Sequence, residues 1–438
     1  MANSTHLLPE IHWLRNSSPY IYAHRGKTFV ISFSGAFILD TKFLYFVQDV
    51  ALLYSLGIRI VLVHGAETQI ENILTQSNLN LSEINGTQII HSELLPHIKA
   101  ALGTTRIELE SLFSIGLTHS FMAGMSIQIL SGNFITARPL GVRDGVDYCH
   151  RGEIRKIDIN TIQQSLSQGS IVLISPIGYS PTGESFYLDR EEIATEIAIA
   201  MSADKLIFMM QSTKIDSVSL PQELAPTGVT QFIQSYPKLH PSLITHLLNA
   251  AHASQSGVKR VHIISQDTDG ALLMELFKRD GVGILITEAI FEDTKKATIE
   301  DVGGILELIT PLEQKGLLVR RPREQLETEI DHFIVMERDK MIIACAALYP
   351  FAKEKVGELA CLVVHPEYRK SGRATALLAT IEKAAKQKGL TQLCVLTTQT
   401  FHWFQERGFT LSSLESLPEN KRVFYNYQRN SKVLMKLL

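Results

Sequence analysis

The most specific chemical signature in the chain runs from Gly357 to Ala374, Gly-Glu-Leu-Ala-Cys-Leu-Val-Val-His-Pro-Glu-Tyr-Arg-Lys-Ser-Gly-Arg-Ala. An apolar run, a Pro-containing loop and then Arg369-x-x-Gly372-x-Ala374 opening a helical pattern read as strand, loop and helix N-terminus. The first amides of a helix lack intrahelical partners and carry the positive end of its dipole, so they suit a pyrophosphate. Gly372 lets the backbone approach phosphate oxygens. Arg369, Lys370 and Arg373 add charge, and the small Ser371 and Ala374 avoid crowding. The preceding strand, at Cys361, Leu362 and Val363, offers backbone groups to an extended, amide-rich ligand arm, as if that arm were another strand. A competing phosphate motif fails. Arg25-Gly26-Lys27-Thr28 lacks the glycine that a P-loop needs five positions before Gly26, where Ile21 stands, and it leads into a strand rather than a helix.

With this turn, the opening Ala297-Thr-x-x-Asp301 and the segment His402-Trp-Phe-Gln-Glu-Arg-Gly-Phe409 resemble the GNAT acetyltransferase superfamily. The resemblance implies acetyl-CoA as co-substrate and no metal. Amide formation from a thioester needs a neutral amine, yet an α-amine is mostly protonated at neutral pH. A base must take that proton, and other groups must stabilise the oxyanion and protonate the leaving thiolate. Glu358, at the start of the motif strand, is the candidate base; an exposed strand-end carboxylate is the bland alternative. Thr397 and Thr398 end the neighbouring strand, and either hydroxyl can face the sulfur. Cys361 reads as a core thiol, not a nucleophile.

Longer segments resemble the bacterial N-acetylglutamate synthase family. In the C-terminal third they are Gly303-Gly-Ile-Leu-Glu-Leu-Ile, Leu318-Val-Arg-Arg-Pro-Arg-Glu-Gln-Leu-Glu, Ile343-Ala-Cys-Ala-Ala-Leu-Tyr-Pro-Phe and Tyr425-Asn-Tyr-Gln-Arg-Asn-Ser-Lys-Val-Leu. Upstream, Gly26-Lys-Thr-Phe-Val, Ser131-Gly-Asn-Phe-Ile and Pro139-Leu-Gly-Val-x-Asp-Gly-Val-Asp-Tyr-Cys extend the likeness to nearly the whole chain. The resemblance implies direct acetyl transfer to the α-amine of L-glutamate, the first step of arginine biosynthesis, in a ternary complex. It casts Glu358 as the catalytic glutamate and Thr397 as a hydroxyl acid near the thiolate. Arg321 and Arg429 are cast as partners of the substrate carboxylates, with Arg320 and Arg323 competing for the assignment. Guanidinium forks suit a dicarboxylate, because they bind carboxylates bidentately. Two alternatives stay open: a GNAT transferase for another amine, and an arginine-sensing protein with a dead transferase domain.

Residues 20 to 285 resemble the amino-acid-kinase fold. Kinases of that fold end their first strand Lys-x-Gly-Gly; here the run is Ser32-Phe-Ser34-Gly35. Tyr187, Asp189 and Glu191 stand where kinases carry Asn, Asn and Asp. Phosphoryl transfer depends on positioning and electrostatic stabilisation, so loss of the lysine predicts no kinase activity. Val261-His-Ile-Ile-Ser through Glu275 to Gly283 resembles the arginine-binding segment of arginine-inhibited relatives. That implies L-arginine as inhibitor, with Glu275 for its guanidinium and Lys205 for its carboxylate. Gly281 and Gly283 would permit close backbone approach, and Tyr20 would belong to an N-terminal arm that forms a hexamer contact.

These sites require two domains in 438 residues. The expected fold is α/β: an amino-acid-kinase-like three-layer αβα domain over 1–287, a linker at 288–296, and a GNAT domain over 297–438. Short Ile/Val-rich runs at Thr28–Phe33, Arg59–His64, Ser170–Ser175 and Lys205–Met210 alternate with helical patterns at Lys42–Leu56, Glu191–Met201, Pro241–Gln255 and Gly270–Arg279. That alternation predicts a largely parallel sheet covered on both faces. Met125–Arg155, with Gly-Asn and Asp-Gly turns, reads as a hairpin excursion. In the C-terminal part, strands are expected at Phe333–Arg338, Met341–Tyr349, Gly357–His365 and Gln392–Thr397, with a helix at Ala374–Lys388. A net charge of −3 gives no field for nucleic acid, and four scattered cysteines form neither a disulfide framework nor a zinc site. Met1–Arg15 is too polar for a signal peptide and no apolar run approaches 18 residues, so the expectation is a cytoplasmic protein without a membrane anchor.

Overall fold

The computed structural model describes residues 9–438 apart from 85, 115–126, 213–220, 279–280, 289–291, 339–340, 370–371, 424 and 428. The chain forms two compact units, Met1–Ala289 and Ile290–Leu438.

The first unit is built on an eight-stranded sheet. Its order is Glu223–Leu224, Ile284–Ile286, Arg260–Ser265, Lys205–Met210, Thr28–Phe33, Arg59–His64, Ile171–Ile174 and Ile129–Ser131. Neighbours run parallel except Ile284–Ile286 against Arg260–Ser265. Strand side chains alternate between faces, and the core divides accordingly. Val30, Val61, Leu206 and Phe208 pack with Ile193, Ile197 and Leu247 of the helices Arg190–Ala200 and Pro241–Gln255. Phe29, Ile31, Leu62 and Ile207 pack on the other face with Phe46, Val50 and Leu53 of the helix Phe43–Ser55. Burial on both sides explains why these strands read as continuous apolar runs.

One expectation needs correction here. The excursion within Met125–Arg155 starts later than expected. Ile135–Pro139 pairs antiparallel with Gly152–Ile157, and Val142–Arg143 with Val146–Asp147. Ile129–Ser131, in contrast, is the edge of the main sheet, parallel to Ile171–Ile174, because the Gly132-Asn133 turn carries the chain out of that sheet. The N-terminal helix runs over Pro9–His24. The Ser17 hydroxyl donates to the Phe277 carbonyl at 3.2 Å, and His24 Nε2 donates to the Leu276 carbonyl at 2.9 Å.

The second unit has a seven-stranded sheet in the order Glu292–Lys296, Phe333–Arg338, Met341–Phe351, Val356–Val364, Gln392–Thr397, Lys432–Leu437 and Thr410–Ser412. The helix Val302–Gln314 covers one face through Val302, Ile305 and Ile309, and Arg373–Gln387 covers the other through Leu377, Leu378 and Ile381. Part of the expected linker is a strand. Glu292–Lys296 pairs antiparallel with Phe333–Arg338. Its polar composition is that of an exposed sheet edge, and Lys295 ties it down through Asp301 at 3.1 Å and Glu337 at 2.5 Å.

All pairings in this sheet are antiparallel except one. Val356–Val364 and Gln392–Thr397 run parallel, and they pair only from Val356↔Gln392 to Leu359↔Val395. Along the opposite edge, Cys345 faces Val363 and Ala347 faces Ala360, so Cys361 and Leu362 together oppose Ala346. Cys361 takes φ +50° at this bulge. A bulge bends its strand and interrupts pairing, and here the sheet splits just where the bulge begins.

Candidate active site

The split in the second sheet opens into a cavity of about 710 Å³. One wall is residues 359–364 of the bulged strand, the other is Val395 to Thr400, and Arg321 and Arg429 line it as well. The turn carrying Arg369, Gly372, Arg373 and Ala374 lines the same cavity. Gly372 caps the helix Arg373–Gln387 with φ +80°, a left-handed conformation suited to glycine. Arg369 Nε donates to the Val364 carbonyl at 3.2 Å, and Arg373 Nη1 donates to the Tyr368 carbonyl at 3.1 Å. Both guanidinium groups are therefore held at the helix N-terminus. Lys370 and Ser371 lie outside the described residues. Cys361, Leu362 and Val363 all line the cavity. Burial pushes the Cys361 thiol up to about 11, which suits a core thiol rather than a nucleophile.

Leu359 packs toward the helix Arg373–Gln387, so its neighbour Glu358 points to the opposite face. Glu358 is buried, 6% exposed, and stands one residue before the lining stretch. Strand register sets it beside Tyr349 on one side and Cys394 on the other. Its Oε1 lies 2.7 Å from Lys421 Nζ.

Arg321 reaches the same region. Burial works against its charge, but Cys361, Tyr349 and Glu358 outweigh that effect and raise its pKa. The Tyr349 hydroxyl, next to Arg321, donates to Glu329 Oε2 at 2.5 Å. Arg429 donates to the Leu317 carbonyl, and its buried Nε has no hydrogen-bond partner. Burial and the facing charge of Arg321 pull the Arg429 pKa down. Among the described residues, neither arginine forms an ion pair with a carboxylate. Arg320 is exposed and Arg323 is paired with Glu327 at 2.8 Å, and neither lines the cavity. Of the two candidate hydroxyls, both line the cavity. Thr397 is the more buried, and its Oγ1 lies 2.9 Å from Thr400 Oγ1.

Residues 27–216 match the amino acid kinase family, and residues 304–409 match the acetyltransferase (GNAT) family. Over 426 residues, 96% of each chain, the protein is 48% identical to the amino-acid acetyltransferase of Escherichia coli (strain K12). The amino-acid acetyltransferase of Serratia proteamaculans (strain 568) is 47% identical over 96% of this chain and 97% of its own. The chain belongs to the amino-acid acetyltransferase family. Among solved structures, N-acetylglutamate synthase from Neisseria gonorrhoeae complexed with coenzyme A and L-arginine superposes with a TM-score of 0.85. That structure shares 33% identity, over 98% of this chain and 99% of its own. The same enzyme complexed with coenzyme A and N-acetyl-glutamate shares 34% identity over the same proportions, with a TM-score of 0.61.

The first unit holds the remaining residues singled out above. Lys205 and Glu275 are both buried but do not touch; His262 bridges them. Lys205 Nζ lies 3.2 Å from His262 Nε2, and His262 Nδ1 lies 2.6 Å from Glu275 Oε1. Burial, then the Lys205 charge, lowers the His262 pKa to about 4. A neutral ring fits both contacts, accepting from Lys205 at Nε2 and donating to Glu275 from Nδ1. Glu275 Oε2 accepts from the Val282 amide at 2.6 Å and the Gly283 amide at 2.9 Å. A Cβ on Gly281 would stand 2.2 Å from Glu275 Oε2, so Gly281 makes room for that carboxylate. Gly283 is needed for another reason. Its Cβ would stand 2.5 Å from the Ile263 carbonyl oxygen, so the adjoining strand requires a glycine there. Tyr20 packs against His24, ring centroids 6.5 Å apart, and the Lys205 charge reaches His24.

A second cavity in this unit, about 470 Å³, is lined by Ser34, Tyr187, Asp189 and Glu191 together with Arg151 and Arg190; none of its described lining residues is a lysine. Sequence reasoning missed Tyr349, Glu329, Lys421 and His262. Only His262 left a signal, a polar residue inside the apolar strand Arg260–Ser265.

Proposed function

We propose that the protein transfers acetyl from acetyl-CoA to the α-amine of L-glutamate, the N-acetylglutamate synthase reaction that opens L-arginine biosynthesis. One observation supports this reading most. Two partly buried guanidinium groups, Arg321 and Arg429, face each other beside Glu358 with no carboxylate ion-paired to either among the described residues. Buried cations without counter-charges are unfavourable, and an acceptor bearing two carboxylates and an amine supplies what is missing. A neutral or cationic acceptor would leave both unpaired.

The cavity fits acetyl-CoA. The Gly372 turn and the amides that open the helix Arg373–Gln387 suit its pyrophosphate, with Arg369 and Arg373 adding charge. Beyond Leu359 the strand no longer pairs with Gln392–Thr397, which leaves that edge open to its amide-rich arm. Arg321 and Arg429 orient the acceptor. Glu358 takes the ammonium proton, the freed nitrogen lone pair attacks the thioester carbonyl, and the C–S bond breaks. Thr397 stands ready to give the thiolate its proton and to recover one from the second proton that the nitrogen sheds as it becomes an amide, while the proton on Glu358 passes to solvent. The transfer is direct, with no acyl-enzyme, in keeping with the buried, protonated Cys361.

The cluster of Tyr20, Lys205, Glu275, Gly281 and Gly283 is the proposed site for L-arginine as feedback inhibitor. Ile11, Leu14 and Tyr22 are exposed at helical spacing on the N-terminal helix, which favours a contact with further copies of the chain and a hexamer. The protein is proposed to work in the cytoplasm.

A thiol-release assay with acetyl-CoA and a panel of amino acids, with Glu358→Gln as control, tests the reading. Release with L-glutamate, lost in the variant, is expected. Release only with another amine would overturn the named acceptor while leaving the transferase fold standing.

A further inference from the structure

The ion pair at Glu358 has a chemical consequence. A base at this position must be a carboxylate when the acceptor ammonium arrives, and a buried carboxylate needs a counter-charge. Every neighbouring strand and loop contributes to its surroundings. Tyr349 and Cys394 flank it on the paired strands, both protonated, with burial pushing Cys394 up to about 12. Cys361 follows on its own strand, Arg321 approaches from the loop before the helix Arg323–Glu329, and Lys421 comes from the short helix Glu419–Val423. Two of these groups are cations. In the proposed reaction Arg321 is neutralised by an acceptor carboxylate, so once the acceptor is bound Lys421 is the cation left to Glu358 among the described residues.

We propose that Lys421 is a positioning residue for the proposed base: its ammonium, 2.7 Å from Oε1, aims Glu358 and balances its charge. Lys421 does not line the cavity and acts only through Glu358. The inference rests on the base reading of Glu358 given above. An opposite charge at this range favours the charged form of a carboxyl group.

The test compares pH profiles of kcat and kcat/KM for wild type, Lys421→Met and Lys421→Arg, with Lys421→Gln as substitute should the methionine variant be insoluble. Removing the ammonium should move the acid limb upward by about one pH unit. Below the limb that amounts to a roughly tenfold loss of rate, while the plateau above it and KM for acetyl-CoA are kept. Lys421→Arg should restore the wild-type limb. An acid limb that stays in place in Lys421→Met overturns the inference, and so does a rise in KM for glutamate alone, which would make Lys421 an acceptor ligand. Glu358→Gln separates the two failures. An active Glu358→Gln removes the base reading itself, whereas an inactive one with an unmoved limb removes only the role of Lys421.

Discussion

Replacing Arg429 by methionine keeps most of the apolar stem and deletes the charge, and the structure predicts opposite effects on binding and on stability. In the free protein the Arg429 guanidinium donates to the Leu317 carbonyl, carries a buried Nε without a partner, and faces Arg321. A buried unsatisfied donor costs about 1–3 kcal/mol, and the hydrogen bond to Leu317 returns about 1 kcal/mol. Deletion should leave stability between unchanged and about 2 kcal/mol higher. For a unit of this size about 1 kcal/mol corresponds to 2–4 °C in Tm, so the melting point should stay level or rise by several degrees. Binding behaves differently. Charge-assisted hydrogen bonds to a carboxylate contribute about 1.5–3 kcal/mol, and each 1.4 kcal/mol is tenfold. KM for L-glutamate should rise by about 10- to 150-fold, with KM for acetyl-CoA within twofold. Steady-state kinetics with each substrate varied in turn, together with a thermal melt, measure both effects. A Tm that falls by more than about 3 °C, with KM for glutamate within threefold, would refute the reasoning and make Arg429 a structural strut.

Three further predictions follow from local geometry. Gly372→Val puts a β-branched residue at φ +80°, a strain of about 1–2 kcal/mol, and fills the proposed phosphate site. KM for acetyl-CoA should rise about tenfold or more while KM for glutamate holds, and a rise in glutamate KM alone would contradict this. Gly281→Ala places a methyl 2.2 Å from Glu275 Oε2; titration with arginine should show sensitivity at least tenfold weaker, with the uninhibited rate within twofold of wild type. Unchanged inhibition would remove Glu275 from the regulator site. Finally, burial holds His24, His64 and His262 neutral, each lowered from 6.5 to about 4. The unfolded chain therefore takes up protons first as pH falls. The stabilisation from these rings is complete above about pH 6.5 and is lost between there and pH 4, up to about 3 kcal/mol per ring. Thermal melts of the full chain should show the Tm falling across that window, and a Tm constant from pH 7 to 4.5 would contradict it.

How far the site could be read in advance depended on whether its parts are local. The Arg369-x-x-Gly372-x-Ala374 turn is contiguous, so its types and spacing alone marked a helix N-terminus after a strand. The parallel sheet of the first unit was equally legible, because double-sided burial leaves a continuous apolar run such as Lys205–Met210. The surroundings of Glu358 and Arg321 were not. Tyr349 meets Glu358 only through strand register, and Lys421 arrives from 63 positions further along the chain. The choice among Arg320, Arg321 and Arg323 likewise rests on which side chain faces the cavity, which a loop sequence does not encode. Glu292–Lys296 resembled a linker because a strand paired on one side only can have the polar composition of a linker. The bulge at Cys361 left no mark at all. A residue other than glycine at φ +50° carries no compositional signal, yet this bulge sits where the sheet divides.

The two candidate ligand sites differ in how their charges stand before any ligand arrives, and that difference bears on what each can do. In the first unit Lys205, a neutral His262 and Glu275 form a closed chain, with one positive and one negative end and the Glu275 carboxylate already accepting from two amides and a ring nitrogen. A carboxylate has about four acceptor positions, so Glu275 keeps roughly one for a guanidinium. A ligand there gains little from relieving charge and has to be recognised by shape and by the N-terminal helix that packs alongside. In the second unit Arg321 and Arg429 face each other without an ion-paired carboxylate among the described residues, so a dicarboxylate supplies what the fold lacks. A site that leaves charge unpaired depends on its ligand, whereas one that has paired it can release its ligand at little cost. The unpaired arrangement suits a substrate site that must fill at every turnover. The paired one suits a regulator site that must empty when the regulator becomes scarce.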